Sequence, residues 1–180
     1  MDESTGDCRP FVRLPAWWSG FLFHVLNPRQ ICIYTYLTML SDDEGACSPT
    51  VDQIRDDLGL YSSTMVFDAL STLESLGFFV RERQSHGDAR ARRNTYRRTS
   101  CEFTILRLLE AGKIDGALRP IRTRESPASQ EGKALVDQGL RDLLGTRYER
   151  YERATPSARA DVLREELMAA IAAHPRANLL

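Results

Sequence analysis

Between residues 81 and 98 the chain places seven arginines, Arg81, Arg83, Arg90, Arg92, Arg93, Arg97 and Arg98, against two acids, Glu82 and Asp88. A guanidinium stays charged at any physiological pH, and its planar fork of donors matches phosphate oxygens. The chemistry open to this cluster is anion binding, by phosphate contact or by insertion into a narrow, strongly negative groove. If it neutralised five phosphates, affinity would fall with salt along a log–log slope of roughly −4 to −5. The competing reading is a charged hairpin that is merely solvated.

Other reactive side chains are scattered. There is no P-loop and no glycine-rich dinucleotide fingerprint. His24, His86 and His174 have no Cys or Glu at ligand spacing, and His86 reads as a loop residue. Cysteines 8, 32, 47 and 101 lack the two- to four-residue spacing of a zinc knuckle, and Cys32, within an apolar helix, reads as a small core residue. Asp42-Asp43-Glu44 looks like a surface loop closing a helix rather than a metal cluster. No catalytic residue, metal or cofactor is therefore expected.

The 180 residues suit one ordinary domain, or a small domain with a helical extension, and 42% hydrophobic residues suffice for a packed core. The formal charge of −1 excludes a polycation that coats nucleic acid indiscriminately. It hides an uneven distribution: residues 1–60 sum to −5, residues 61–100 to +3 and residues 101–180 to +1. Arginine outnumbers lysine twenty-two to two along the whole chain, which points to a GC-rich, bacterial coding source. No run of eighteen apolar residues is present, so no membrane span is expected. The first residues, MDESTGD, are acidic and polar, unlike a secretory leader, and make a reducing cytoplasm the expected compartment.

The elements that must position the arginines follow from caps and periodicity. Residues 1–10 read as a disordered tail. Residues 11–26 hold two Trp and three Phe, a density that suits packing on the following helices. Asn27-Pro28 starts a helix to about Leu40, with Ile33, Tyr34, Leu37 and Leu40 on one face. Thr50 and Gln53 have capping-box spacing for a second helix, striped by Val51, Ile54 and Leu58 and ended by Gly59. Ser62 or Ser63 caps a third, whose stripe of Val66, Ala69, Leu70, Leu73 and Leu76 ends at Gly77. Residues 78–83 and 95–98 read as strands around a polar tip at 84–94, a β-hairpin. Residues 101–109 fit either a helix or a strand running into a helix. Residues 111–129 read as a linker with little regular structure. A helix over 130–153 and another opened by Thr155-Pro156 form an αα-hairpin ended by Pro175.

The stretch CSPTVDQIRDDLGLYSSTMVFDALSTLESLGFFVRERQ, with NTYRR closing the hairpin, resembles the winged helix-turn-helix of bacterial transcriptional regulators and plasmid replication-initiator-like proteins. The resemblance covers about residues 28–98 and implies a mainly α fold with a small β-hairpin wing, in a domain spanning 11–110. It also implies that the third helix enters the major groove of double-stranded DNA while the wing arginines lie along the backbone or in the minor groove. Ser62, Ser63, Thr64, Phe67, Asp68 and Ser71 are then the candidate base-contacting residues. That face departs from expectation, since it carries no Arg or Lys and includes Asp68.

The C-terminal hairpin, 130–174, is the candidate partner surface. Leu140, Leu144, Tyr148, Tyr151, Leu163, Leu167 and Ile171 would join two copies into a homodimer that engages two half-sites; the alternative is packing within one chain. The expected function is a site-specific DNA-binding regulator. A plasmid or phage replication or partition protein shares the same features, and a winged helix that binds protein rather than bases is the third reading.

Overall fold

A computed structural model of the protein describes residues 16–83, 94–118 and 130–173. The expected tail at 1–10, the hairpin tip with Arg90, Arg92 and Arg93, the later part of the expected linker and residues 174–180 lie outside the described residues. The chain is mainly helical, with one small antiparallel sheet of three strands in the order β1-β3-β2.

Helix α1 (Ala16–Val25) buries Trp18, Phe21 and Leu22. Trp18 stacks on Phe21 at 5.4 Å and donates its indole N–H to the Tyr34 hydroxyl at 3.3 Å. Of the aromatic segment, Trp18 and Phe21 are thus core, whereas Phe23 is 68% exposed.

Asn27 caps α2 (Pro28–Leu40) through a reciprocal box with Gln30, both hydrogen bonds being 3.0 Å. Ile33, Tyr34 and Leu37 are buried as the periodicity predicts, but Leu40 is exposed where the stripe runs out at the helix end. Cys32 is also exposed, contrary to the core role expected of it. One residue before Ile33, it lies about 100° round the helix from the buried stripe.

The Asp42-Asp43-Glu44-Gly45 tract is a turn. The Asp42 carboxylate accepts from the amides of Glu44 and Ala46, each at 2.9 Å, and Gly45 takes a φ of +77°. It leads into β1 (Ala46–Cys47), a strand too short to leave a periodicity in the sequence. Thr50 caps α3 (Val51–Asp57) and Ser62 caps α4 (Ser63–Ser75), each accepting from a first-turn amide. Val66, Ala69, Leu70 and Leu73 turn α4 onto α2 and α3.

The exit from α4 is a single glycine turn. Gly77 has a φ of +75°, and a Cβ there would lie 2.7 Å from Cγ of Arg107. Its carbonyl accepts from the hydroxyls of Thr99 at 2.5 Å and Thr104 at 2.8 Å. The chain then forms β2 (Phe79–Arg83) and returns as β3 (Asn94–Arg98), in the register Phe79 to Arg98 and Arg83 to Asn94. Strand β3 also pairs with β1, Ala46 opposite Arg97 and Cys47 opposite Tyr96. The ambiguous segment after it is a helix throughout, α5 (Cys101–Glu110), capped by Ser100.

Residues 111–118 form turns, yet they belong to the core. Ile114 and Leu118 are buried, and the Gly116 backbone presses on Ala160 so closely that a Cβ would lie 2.5 Å from its amide nitrogen. The helix expected over 130–153 divides into α6 (Gln130–Leu144), a 3₁₀ turn (Gly145–Arg147) and α7 (Tyr148–Arg153), because Gly145 adopts a φ of +52°. Helix α8 (Arg159–Ala173) follows a turn started at Thr155. Helix α6 packs on α1, and α8 on α5.

The residues assigned to a dimer surface are therefore covered by their own chain. Leu140, Leu144, Tyr148, Tyr151, Leu163 and Leu167 are buried, and Ile171 packs partly buried against the same core. An amphipathic stripe demands a partner; here α1, α5 and the turns at 111–118 supply it.

Two glycines with similar dihedrals separate local strain from crowding. Gly59 has a φ of +61° and open space around it, whereas Gly77 has none. Gly59→Ala should cost about 1 kcal/mol, the left-handed penalty alone. Gly77→Ala should cost about 2–3 kcal/mol, lowering Tm by roughly 4–10 °C in a thermal melt. Equal losses at the two sites would contradict the packing described.

Candidate functional site

The face of α4 that carries the candidate base contacts is only partly free. The Ser62 hydroxyl is the helix cap, accepting from the Thr64 amide at 3.1 Å. The Ser63 hydroxyl donates to Asp52 at 3.2 Å and accepts from Arg55 at 3.1 Å. Thr64, Phe67, Asp68 and Ser71 remain, exposed along one row at helical spacing. Tyr61 stands just ahead of the helix and is 98% exposed. Its exposure could not be read from residue type, since tyrosine is as common in cores as at surfaces.

The surroundings of this row are acidic. From Asp42 to Glu74 the chain carries eight carboxylates and one cation, Arg55. That cation is engaged by Asp52 and Asp56, each at 2.8 Å, and its hydrogen bond with Asp56 raises its pKa. The Asp57 carboxylate accepts from the Tyr36 hydroxyl at 2.5 Å, tying α3 to α2, and burial together with Asp57 pushes that phenol up to about 12.

The hairpin shows which arginines are available. Arg81 lies opposite Tyr96 and pairs with Glu74 of α4 at 2.7 Å, with only 16% of its side chain exposed. Arg97 sits between Glu82 at 3.3 Å and Glu44 at 3.8 Å. Both were counted from sequence as phosphate ligands. Arg81 instead anchors β2 to α4, because its nearest acid lies one turn back along the chain on the preceding helix. The partners of Arg97 are exposed, Glu82 by 48% and Glu44 by 75%, an arrangement worth little in water and open to exchange for another anion. Arg98 is exposed and has no ion pair among the described residues. Arg83 occupies the last position of β2, opposite Asn94, and Arg90, Arg92 and Arg93 fall in the sequence between the two strands, outside the described residues.

The remaining chemistry is sparse. Cys47 and Cys101 are both held as thiols: burial raises Cys47, and burial, then Glu102, pushes Cys101 up to about 11. Among the described residues no three His, Cys, Asp or Glu side chains are grouped so as to hold a metal ion. A cleft bounded by Tyr34, Cys47, Phe78, Tyr96 and Arg98 has about 10 Å³ of space, room for one water. No helix among the described residues is long and apolar enough to cross a membrane.

At the C-terminal end, polar contacts also serve the fold. Arg150 bridges α7 to α8 through Glu165 at 2.6 Å and the buried Glu166 at 2.8 Å. The Tyr151 hydroxyl donates to the Gly116 carbonyl at 2.8 Å, and that of Tyr148 to Asp137 at 2.6 Å.

Comparison of the chain with protein-family models, curated proteins and solved structures finds no match. The functional reading therefore rests on the residues themselves.

The thiols give a direct test of this arrangement. In a Cys8→Ser background at neutral pH, a thiol reagent should label exposed Cys32 quickly, half-buried Cys101 more slowly, and buried Cys47 only as fast as the fold opens. Cys32→Ser should abolish the fast phase. Fast labelling that survives that change would place one of the other two thiols at the surface.

Proposed function

We propose that residues 28–98 are a winged helix-turn-helix and that the protein binds double-stranded DNA chiefly through the hairpin wing. The order helix, short strand, helix, helix, hairpin and the sheet order β1-β3-β2 support the fold assignment. One observation carries the function: the two strands of an arginine-rich hairpin are tied at their base to α4 and α5. The Arg81–Glu74 pair and the Gly77 turn fix that base. Arg83, Arg90, Arg92, Arg93 and Arg98 are then the phosphate ligands, with Arg97 recruited by exchange from Glu82 and Glu44.

Base reading has no assigned residue in this proposal. The acids around α4 repel the phosphates that flank any groove, so Thr64, Phe67 and Ser71 are given no base contact on this reading. The protein is on this reading a DNA-binding regulator in which electrostatic contact dominates. It places no dimer contact on the buried C-terminal stripe.

A gel-shift titration over a range of salt concentrations checks the division of labour. Changing Arg90, Arg92 and Arg93 together to Ala should weaken duplex binding and flatten the log–log salt slope by about 2.7, roughly 0.9 per lost phosphate. Arg81→Ala should leave the slope unchanged and lower Tm instead. If the triple variant kept its slope, the wing would not be the contact.

A further inference from the structure

The outward face of α4 has features that the wing does not explain. Tyr61 and Phe67, 98% and 47% exposed, are large aromatics with no packing role in the core. Thr64, Asp68 and Ser71 lie between and beyond them on the same face. Among the described residues around this patch the acids outnumber the cations. Asp52 touches the start of α4 through Ser63, Asp56 on α3 holds the Arg55 guanidinium that donates to Ser63, and Asp68 lies within the patch. The neighbouring cation, Arg55, is already shared between Asp52 and Asp56.

Exposed aromatics within a charged rim are the usual anatomy of a protein-binding patch. The sign of the rim selects the partner. A nucleic acid meets like charge here, whereas a segment bearing Arg or Lys meets its complement. A guanidinium also gains by lying over an aromatic face, which Tyr61 and Phe67 both offer. We propose that the Tyr61–Phe67–Ser71 face of α4 docks a basic protein segment, with apolar or guanidinium contacts on the two aromatics and ion pairs to Asp56 and Asp68. The proposal goes beyond the DNA reading: it gives the hairpin to DNA and the helix face to a protein.

The test is a selection of random peptides displayed against the full chain, followed by anisotropy titration of the enriched peptides. The expected result is a set of net-positive peptides carrying at least one apolar residue. Their affinity should fall about tenfold in Tyr61→Ala/Phe67→Ala and in Asp56→Asn/Asp68→Asn, and should weaken with added salt. All four side chains are exposed, so a melt should show these variants as stable as the parent. Peptides without basic residues, or binding unchanged in both variants, would overturn the proposal. So would a matching loss of duplex DNA binding in Tyr61→Ala/Phe67→Ala, or a self-association in sedimentation that those changes abolish, because the occupant would then be DNA or a second copy. If the parent bound no duplex while these peptides still bound, the hairpin reading alone would fall.

Discussion

The peptide unit at Gly77 is the joint on which the rest of the structure turns. In the left-handed conformation it reverses α4 into β2, with no space for a side chain between it and Arg107. Its carbonyl collects two hydroxyls, one from Thr99 after β3 and one from Thr104 in the first turns of α5. The Phe78 carbonyl takes the Thr99 amide, and the Phe78 amide returns to Leu73 of α4. Four elements thus meet at two consecutive residues. Thr104 is a buried polar side chain whose hydroxyl is satisfied, so the junction carries no desolvation penalty of the kind an orphaned group would bring. The hairpin's direction relative to α4 is set here, and so is the position of α5.

Helix α5 carries that order to the C-terminal half. Its buried residues, among them Ile105 and Leu108, support α8, while α6 closes over α1. The helices after residue 130 therefore complete the core instead of standing apart as a separate module. The charged side chains at and just before α7 follow the same logic, since Arg150 reaches Glu165 and Glu166 on α8 and Arg147 of the 3₁₀ turn donates to the Glu166 carbonyl. Glu166, 7% exposed, is tolerable at that depth because a guanidinium meets it.

Local rules were legible in the sequence wherever a single element sufficed to express them. Asn27-Pro28, Thr50 and Ser62 cap as their types and spacing predict, and Gly59 and Gly77 take positive φ where the apolar stripes end. What escaped depends on distant residues. Strand β1 exists because β3 pairs with it, and two residues show no alternation. Gly139 and Gly145 look equivalent in sequence, yet Gly139 is buried within α6 and Gly145 breaks the helix. Ile114 and Leu118 are buried in a segment whose Gly116 meets Tyr151 and Ala160, residues far along the chain. In the candidate site, the arginine count was visible but its partners were not: Glu74 neutralises Arg81 across an element boundary, and the exposure of Tyr61 has no signature in composition.

The two-residue length of β1 has a consequence for how copies of this chain meet. A three-stranded sheet leaves two open edges whose unpaired backbone groups invite strands from other molecules. Along β1 that invitation is brief, because Ser48 turns to Thr95 and Pro49, lacking an amide hydrogen, cannot extend the ladder. Along β2 the alternating Arg81, Glu82 and Arg83 would set like against like in a parallel copy laid in register. The sheet on which the hairpin is built is thus also one that resists growing into an aggregate.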